Sequence, residues 1–374
     1  MTGYRVVRGA VALAAVAATV ALAGCGSSSS GGTGGGAGGS ASGGSGGSCP
    51  SSINCKVALI ISDAGLGDKG FNDLGNQGMK KAVADFGVTG KPVQDPQIDT
   101  HCQQDLTQAA QAGYGLIINL NYGCGDALQQ VAKGYPKTWF VMVDNVAKGS
   151  NVASEMFDVQ DSSFLAGAVA SMLNLDGTPS QVKGHHTIGA IGGVKSPGID
   201  QFLVGYQQGA ERIDKNAKVL IAYANSFADP SKGASLTKSM FSQGATVVYQ
   251  VAGVTGLGGI KAAKQQNLFA IGVDSDQDYI APGHVLTSSI KHTDVAVYTA
   301  IQKYVHGQLQ GNNTITFGLA NGGVAISPMK YTKKLLPASD LQRIGQLKKQ
   351  IESGAIKVWN VPTQGYPSWF SGGK

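Results

Sequence analysis

Short apolar runs alternate with amphipathic segments along most of the chain from residue 56 onward. Val57–Ile61, Gly115–Leu120 and Trp139–Asp144 are apolar almost throughout. Between them, apolar residues recur at helical spacing, most clearly from Phe71 to Phe86. Apolar strands without polar alternation are typical of parallel sheets that are covered by helices on both faces. This pattern predicts an α/β unit.

The alternation restarts after residue 186, which predicts a second unit of the same kind. Its apolar runs are Thr187–Gly192, Val219–Tyr223, Ala245–Val251 and Leu268–Asp274. Helices are predicted between these runs, with a glycine-rich turn between the third run and a helix over Ile260–Gln266. Two successive sets of this kind predict two doubly wound parallel-sheet lobes with a ligand cleft between them.

The N-terminus is typical of an exported bacterial lipoprotein. Arg5 and Arg8 precede an apolar run over residues 10–23, which is too short to span a bilayer and fits a signal peptide. The run ends in Leu-Ala-Gly before Cys25, which resembles a bacterial lipobox. We expect removal of residues 1–24, lipidation of Cys25, and anchoring on the extracytoplasmic face of the cell membrane. An uncleaved N-terminal anchor is the alternative.

Residues 26–48 are almost only glycine and serine, so they cannot build a core and are expected to form a flexible linker. Residues 25–55 would then tether the folded part to the membrane. The chain of 374 residues has a formal net charge of +6, and its basic residues are scattered. Because a nucleic-acid-binding surface needs a basic stripe, this distribution argues against a nucleic-acid partner.

Four cysteines remain besides the lipidated one. An even number outside the cytosol favours disulfides, and three pairings are possible. We favour Cys49–Cys55, at the edge of the first strand, and Cys102–Cys124, which would join two neighbouring loops. A metal site is the alternative, but the sequence has neither a Cys-x-x-Cys pair nor an accompanying histidine pattern.

Polar and aromatic residues follow the predicted strands, where ligands of open parallel sheets bind. A carboxylate can accept two hydrogen bonds from a vicinal diol, asparagine can read the edge of a base, and phenylalanine offers a stacking face. Each residue also has a structural alternative, such as a helix cap for Asp68 or a core position for Phe71. The candidate ligand-binding residues are Asp63, Phe71, Asn72, Asp144, Phe202, Gly253, Asp274 and Lys291.

Known catalytic and cofactor motifs do not appear in the sequence. The glycine-rich segment after Val251 lacks the Gly-x-Gly-x-x-Gly placement, and there is no phosphate-binding P-loop. There is also no Gly-x-Ser-x-Gly elbow and no histidine-rich cluster. We therefore expect a binding protein without a cofactor rather than an enzyme such as a nucleoside hydrolase.

The segments that carry these residues resemble the basic membrane protein (BMP) family of substrate-binding lipoproteins, which includes purine nucleoside receptors. The resemblance covers nearly all of the mature domain. The resemblance rests on residues 68–72 (Asp-Lys-Gly-Phe-Asn), 135–144, 202–209, 271–277, 286–291 and 351–356.

The resemblance implies a type I periplasmic-binding fold, in which two lobes joined by three crossovers close on a ligand and deliver it to an ABC permease. One lobe would comprise residues 56–155 with 275–318, and the other residues 156–274 with 319–374. The resemblance also implies a monomer that binds a nucleoside, with a purine base favoured.

Residue roles follow from the same resemblance. Phe71 and Phe202 would sandwich the base, while Asn72 and Asp144 would read its edge. Asp274 would hold the ribose hydroxyls with Lys291 nearby, and Asp63 would line the first loop.

Two departures from the family pattern bear on the ligand. Gly70 stands where a serine is usual, and Asn121 and Tyr122 lie in a polar loop where an apolar, glycine-rich loop is expected. These departures bear on the purine preference more than on the fold. A receptor for another polyol, such as a sugar or an autoinducer, is an alternative that would use the same aspartate and lysine groups without a residue that reads a base edge. A surface adhesin or signalling receptor is a third class.

Overall fold

The computed structural model describes residues 48–370 and residue 372. Cys25, the predicted signal peptide and most of the predicted linker lie outside the described residues. The strands are β1 (Lys56–Ile60), β2 (Thr89–Val93), β3 (Leu116–Asn119), β4 (Trp139–Val143), β5 (Val152–Phe157), β6 (Thr187–Gly192), β7 (Lys218–Tyr223), β8 (Val247–Val251), β9 (Phe269–Asp274), β10 (Val285–Lys291), β11 (Asn313–Phe317) and β12 (Val324–Ile326).

Helices cover the sheets formed by these strands. They are α1 (Phe71–Phe86), α2 (Ile98–Gln111), α3 (Gly125–Gly134), α4 (Val159–Asp176), α5 (Pro197–Ile213), α6 (Pro230–Ser242), α7 (Gly253–Gln265), α8 (Thr293–Val305), α9 (Ala338–Glu352) and α10 (Val361–Gln364). Short 3-10 turns occur at Tyr122–Cys124 and Lys333–Leu335. Within the described part of the chain, none of the helices is long and apolar enough to cross a membrane.

Two six-stranded sheets form the two lobes. The first has the order β11-β5-β4-β3-β1-β2, and the second the order β12-β10-β9-β8-β6-β7. All neighbouring strands are parallel except β10 and β12, which are antiparallel. In each sheet the connections reverse direction beside the first strand of the lobe, β1 or β6, which is where doubly wound sheets bind ligands.

The division of the chain between the lobes differs from the expected one. Residues 275–318 were expected in the first lobe, but β10 pairs with β9 in the second sheet. All seven residues of β10 are buried, which suits an interior strand. The chain returns to the first lobe only after Lys291, where α8 packs against α1. The three crossovers therefore follow β5, β10 and β11.

The glycine-rich turn predicted after Val251 is instead the first half of α7. Its glycines permit close helix packing, because a Cβ at Gly258 would overlap the carbonyl oxygen of Pro230 at the start of α6. A Cβ at Gly259 would overlap the side-chain amide of Gln250. A glycine needed for close packing resembles a turn glycine in sequence, and this explains the error.

Both favoured disulfide pairings are present in the structure. Cys49 and Cys55 join the chain on either side of a turn that precedes β1, with 6.1 Å between their Cα atoms. Cys102 of α2 and Cys124 of the β3–α3 connection are joined with a Cα–Cα distance of 5.3 Å. The second disulfide therefore fixes a loop at the carboxyl end of the first sheet.

Candidate functional site

A cavity of about 240 Å³ lies between the lobes, at the carboxyl ends of both sheets. This volume is slightly below the range of about 300–1,000 Å³ that is usual for drug-sized ligands, so it suits one small solute. Seven of the eight predicted ligand-binding residues line it: Asp63, Phe71, Asp144, Phe202, Gly253, Asp274 and Lys291. Residues that follow strands of both lobes therefore meet at this cavity.

Asn72 is the predicted residue that does not line the cavity. Its side chain is fully buried, its amide nitrogen donates to Ser62 Oγ (2.9 Å) and to the carbonyl of Gly65 (3.0 Å), and its oxygen accepts from the Ser62 amide (3.0 Å). These contacts use both ends of the carboxamide. Asn72 therefore stabilises the loop after β1. Its side chain does not line the cavity, so its position does not support the expected contact with a base edge.

Asp144 and Asp274 occupy equivalent places in the two lobes, at the ends of β4 and β9. Both have a left-handed backbone conformation, each with φ of 64°. Aspartate tolerates this region better than most residues because its short polar side chain can interact locally. The turn directs both strand ends toward the cavity, and Lys291 at the end of β10 reaches both carboxylates.

Lys291 forms the charged centre of the cavity. Its ammonium is 2.6 Å from Asp144 Oδ2 and 3.6 Å from Asp274 Oδ1, and the residue is 4 % exposed. Burial lowers the pKa of Lys291, but Asp144 and then Asp274 outweigh burial and leave the pKa above its usual value. The lysine is therefore charged at neutral pH and is held between one carboxylate from each lobe.

Burial raises the pKa of Asp274 to about 6, although Lys291 acts in the opposite direction. The charges of Asp68 and Asp144 contribute further to the raised pKa of Asp274. Asp63 also has a pKa raised to about 6, mainly by burial and then by the charge of Asp99. The cavity therefore holds carboxyl groups that can change protonation between pH 5 and 7.

Three aromatic rings surround the lysine. The Lys291 ammonium is 4.0 Å from the ring centroid of Phe71, 5.5 Å from Phe202 and 5.6 Å from Phe157. Such distances permit cation–π attraction. Phe71 comes from the first lobe and Phe202 from the second, so the cavity has an aromatic side chain from each lobe beside a row of charged groups.

The loop after β1 is both a helix cap and an interlobe contact. Asp68 accepts from the backbone amides of Asn72 (2.8 Å) and Asp73 (3.1 Å) in the first turn of α1, as the capping alternative proposed, and it also lines the cavity. The neighbouring Lys69 carbonyl accepts from Ser275 Oγ (2.5 Å) and Gln277 Nε2 (3.2 Å) of the second lobe. The lobes are therefore joined by hydrogen bonds at one rim of the cavity.

Asp99, Phe157 and Phe227 are among the cavity residues that the sequence analysis missed. Phe157 is the last residue of β5. The buried Glu155 interrupts the apolar run of this strand, so the sequence pattern did not predict it. Phe227 follows β7 in an irregular loop, and Asp99 lies in the first turn of α2. The end of β5, a weakly apolar strand, carries the signal that identifies Phe157.

The acidic residues of the cavity do not form a metal site. Across residues 48–370, no group of three or more histidine, cysteine, aspartate or glutamate side chains is arranged to hold a metal ion. The cavity therefore offers hydrogen-bond acceptors, one ammonium group and aromatic faces, which suit an uncharged ligand rich in hydroxyl and N–H donors.

The family is shown by comparison with known proteins. Residues 55–364 match the model of the Bmp family, described as ABC transporter substrate-binding protein PnrA-like. The chain is 31% identical over 323 residues to the ABC transporter nucleoside-binding protein BmpA of Lactococcus lactis subsp. cremoris, an alignment covering 80% of this chain and 88% of that protein. It is 30% identical over 300 residues to basic membrane protein B of Borreliella burgdorferi, covering 76% and 85%.

Solved structures agree with this assignment. A solute-binding protein of an ABC transporter system from Aeropyrum pernix K1 has a TM-score of 0.74 at 27% identity, covering 81% of this chain and 93% of that one. A Caulobacter myo-inositol binding protein shares the fold, with a TM-score of 0.58 at 14% identity over 79% and 99% of the chains.

These findings confirm the expected family resemblance, the two-lobed α/β fold and a binding protein rather than an enzyme. The chain belongs to the Bmp family of PnrA-like ABC transporter substrate-binding proteins.

Proposed function

We propose that this substrate-binding protein takes up a nucleoside, with a purine base favoured, in the interlobe cavity and delivers it to an ABC permease. The observation that carries the proposal is the pairing of aromatic side chains with a carboxylate–lysine–carboxylate row in one small cavity. Phe71 and Phe202 come from opposite lobes and both contact the space around Lys291. The name of the Lactococcus relative, a nucleoside-binding protein, supports the same ligand class.

The two halves of a nucleoside match the two kinds of lining. A base has two π-faces, and stacking on aromatic side chains contributes about 1–3 kcal/mol per base. A ribose presents vicinal hydroxyls, which the Asp274 carboxylate can accept as a pair, while Lys291 can donate to a hydroxyl or ether oxygen. Asp144 lies beside Lys291 and is the group we assign to the edge of the base.

Isothermal titration calorimetry with inosine, guanosine, adenosine, uridine and cytidine tests the proposal. At least one nucleoside should bind, and it should exceed ribose in affinity by about tenfold or more because ribose lacks the stacking energy. Phe202→Leu should reduce this advantage, whereas Phe241→Leu, a buried phenylalanine of the same lobe outside the cavity, should keep it. No heat from any of the five nucleosides would refute nucleoside binding.

A polyol such as a sugar is the second candidate. The observation that favours it is the number of carboxylates facing the cavity, since Asp63, Asp68 and Asp99 line it besides the two that hold Lys291. Carboxylates are good acceptors for sugar hydroxyls and need no base. Ribose or another sugar binding as tightly as every nucleoside would favour this alternative.

We also propose that the protein functions as a monomer anchored through a lipid on Cys25, on the extracytoplasmic face of the membrane. The lipobox-like sequence around Cys25 and the family relationship to membrane proteins support the anchor. A Cys25→Ser variant should leave the membrane fraction of expressing cells and appear in the soluble fraction. Equal membrane association of the variant and the parent protein would contradict lipid anchoring.

A further inference from the structure

The connection between β3 and α3 places one aromatic side chain in the cavity wall. Tyr122 begins the 3-10 turn Tyr122–Cys124, is half-buried and lines the cavity. Burial raises the pKa of its hydroxyl, and the charge of Asp144 raises this pKa further. The Tyr122 carbonyl accepts from Asn145 Nδ2 (3.0 Å), and Asn145 directly follows Asp144, so the turn that carries Tyr122 lies on the Asp144 side of the cavity.

A disulfide and several hydrogen bonds hold this turn in place. Cys124 forms a disulfide with Cys102 of α2, and the side-chain nitrogen of Asn121 donates to Asp99 Oδ1 at 2.9 Å. Asp99 and Cys102 are one helical turn apart, so both anchors are on the same part of α2. Asn121 Oδ1 also accepts from the Gly123 amide (2.9 Å), and the Tyr122 carbonyl accepts from Asn145 Nδ2 (3.0 Å).

The Tyr122 ring also touches the second lobe. A Cβ placed on Gly198, in the first turn of α5, would lie 3.0 Å from Cε2 of this ring. Glycine at this position therefore allows the ring to contact the helix backbone closely. Phe202 lies four residues farther along α5, on the same helix face. The ring thus closes the space beside the face that carries Phe202.

We propose that Tyr122 is a specificity-determining residue, which ends the base compartment on the Asp144 side and limits the size of base that the closed cavity accepts. Asp99, Asn121 and the Cys102–Cys124 disulfide are its positioning elements. The inference rests on the proposed nucleoside function and adds the residue that selects among bases. A wall discriminates by size only while it cannot move away, and the disulfide keeps the turn on α2.

The test compares two probes that share a ribose and differ at the base edge. Adenosine and 1,N6-ethenoadenosine differ by a two-carbon bridge on the edge that Asp144 is assigned to read. Dissociation constants of both are measured by titration calorimetry on the whole protein. The parent protein should prefer adenosine, since even one extra methylene against a fixed wall changes binding by about tenfold or more.

Tyr122→Gly should lower this preference by about tenfold or more, because the wall is gone. Cys102→Ser with Cys124→Ser should lower it by several-fold, because the turn loses an anchor while the ring remains. The matched control removes the other disulfide, Cys49–Cys55, which contributes no residue to the cavity, and should leave the preference unchanged.

Tyr122→Leu is a milder variant that keeps an apolar side chain against Gly198, and it should shift the preference in the same direction as Tyr122→Gly. Thermal melts identify any variant that does not fold, and the preference for adenosine is compared among the variants that do. An unchanged preference in the Tyr122 variants or in the Cys102/Cys124 variant, with nucleosides still bound, overturns this inference alone. Failure of the parent protein to bind any nucleoside overturns the proposed function as well.

Discussion

Replacing Asp274 by asparagine should stabilise the ligand-free fold while it weakens ligand binding. Asp274 is 7 % exposed, and its pKa rises from 3.8 to about 6 on folding, mainly through burial. An acid with a raised pKa in the folded state binds protons more tightly there. Its cost to stability is absent well below pH 3.8, grows between pH 3.8 and 6, and is complete above pH 6.

The size of the effect follows from the shift. About two pKa units correspond to about 3 kcal/mol at neutral pH, at 1.36 kcal/mol per unit. The attraction of Lys291 is already contained in this pKa, so neutral asparagine removes the cost without a separate loss. Asparagine also accepts the left-handed backbone at φ 64°. Because the hydrogen bond to Lys291 is also contained in this pKa, we expect a gain of about 2–3 kcal/mol at neutral pH.

Asp144→Asn is the matched control. Asp144 also ends a strand with φ of 64°, but it is the nearer partner of Lys291, at 2.6 Å. Losing the closer partner of a buried ammonium should destabilise the protein by about 2 kcal/mol or more. The two aspartate-to-asparagine changes lie in equivalent turns of the two lobes. They should therefore change the free energy of unfolding in opposite directions.

Urea unfolding followed by tryptophan fluorescence measures both variants at pH 7.5 and pH 4. At pH 4 the gain from Asp274→Asn should fall below about 1 kcal/mol, because the carboxyl is then protonated in the folded parent protein. Titration calorimetry should show nucleoside binding weakened by about 2–4 kcal/mol, since ribose hydroxyls lose their charged acceptor. A stability gain equal at both pH values, or a loss at pH 7.5, would refute the electrostatic reasoning.

The structure supports three further predictions. Nucleoside affinity measured by calorimetry should fall as pH drops from 7.5 to 5, because protonation of Asp274 around pH 6 removes an acceptor; a flat profile would argue against its role. Ser275→Ala removes a donor to the Lys69 carbonyl across the cleft and should weaken ligand binding by about fivefold, whereas unchanged affinity would mean that this contact does not favour closure. Gly258→Ala should destabilise the protein by about 1–3 kcal/mol in urea unfolding by separating α6 from α7, while Gly345→Ala, with open space around its Cβ position, should be neutral or stabilising.

Much of the fold could be predicted from the sequence because its inner strands are continuous apolar runs. The bounds predicted for α1 and β6 agree with the structure. The position of the cavity also followed, since parallel strands place their carboxyl ends at one edge. Asp63, Asp144, Gly253 and Asp274 were found in this way, without knowledge of which residues contact one another.

The parts that were missed lack a local signal. The edge strand β2 has the sequence Thr-Gly-Lys-Pro-Val and no fully buried residue, so it carries no apolar run. Strand β10 was assigned to the wrong lobe because its buried residues are mostly serine, threonine and lysine rather than aliphatic. Asn72 follows directly after Phe71, but the first turn of α1 directs it into the loop instead of the cavity. Such directions depend on tertiary contacts.

The three crossovers also determine when the fold can be completed during synthesis. The first sheet receives its outer strand, β11, only at residues 313–317, and the second receives β12 at residues 324–326. Until then, β5 and β10 each present an unpaired edge, which can pair with other chains. A chain interrupted before residue 313 would leave both lobes open together. Premature termination before residue 313 should therefore cause aggregation rather than yield one intact lobe.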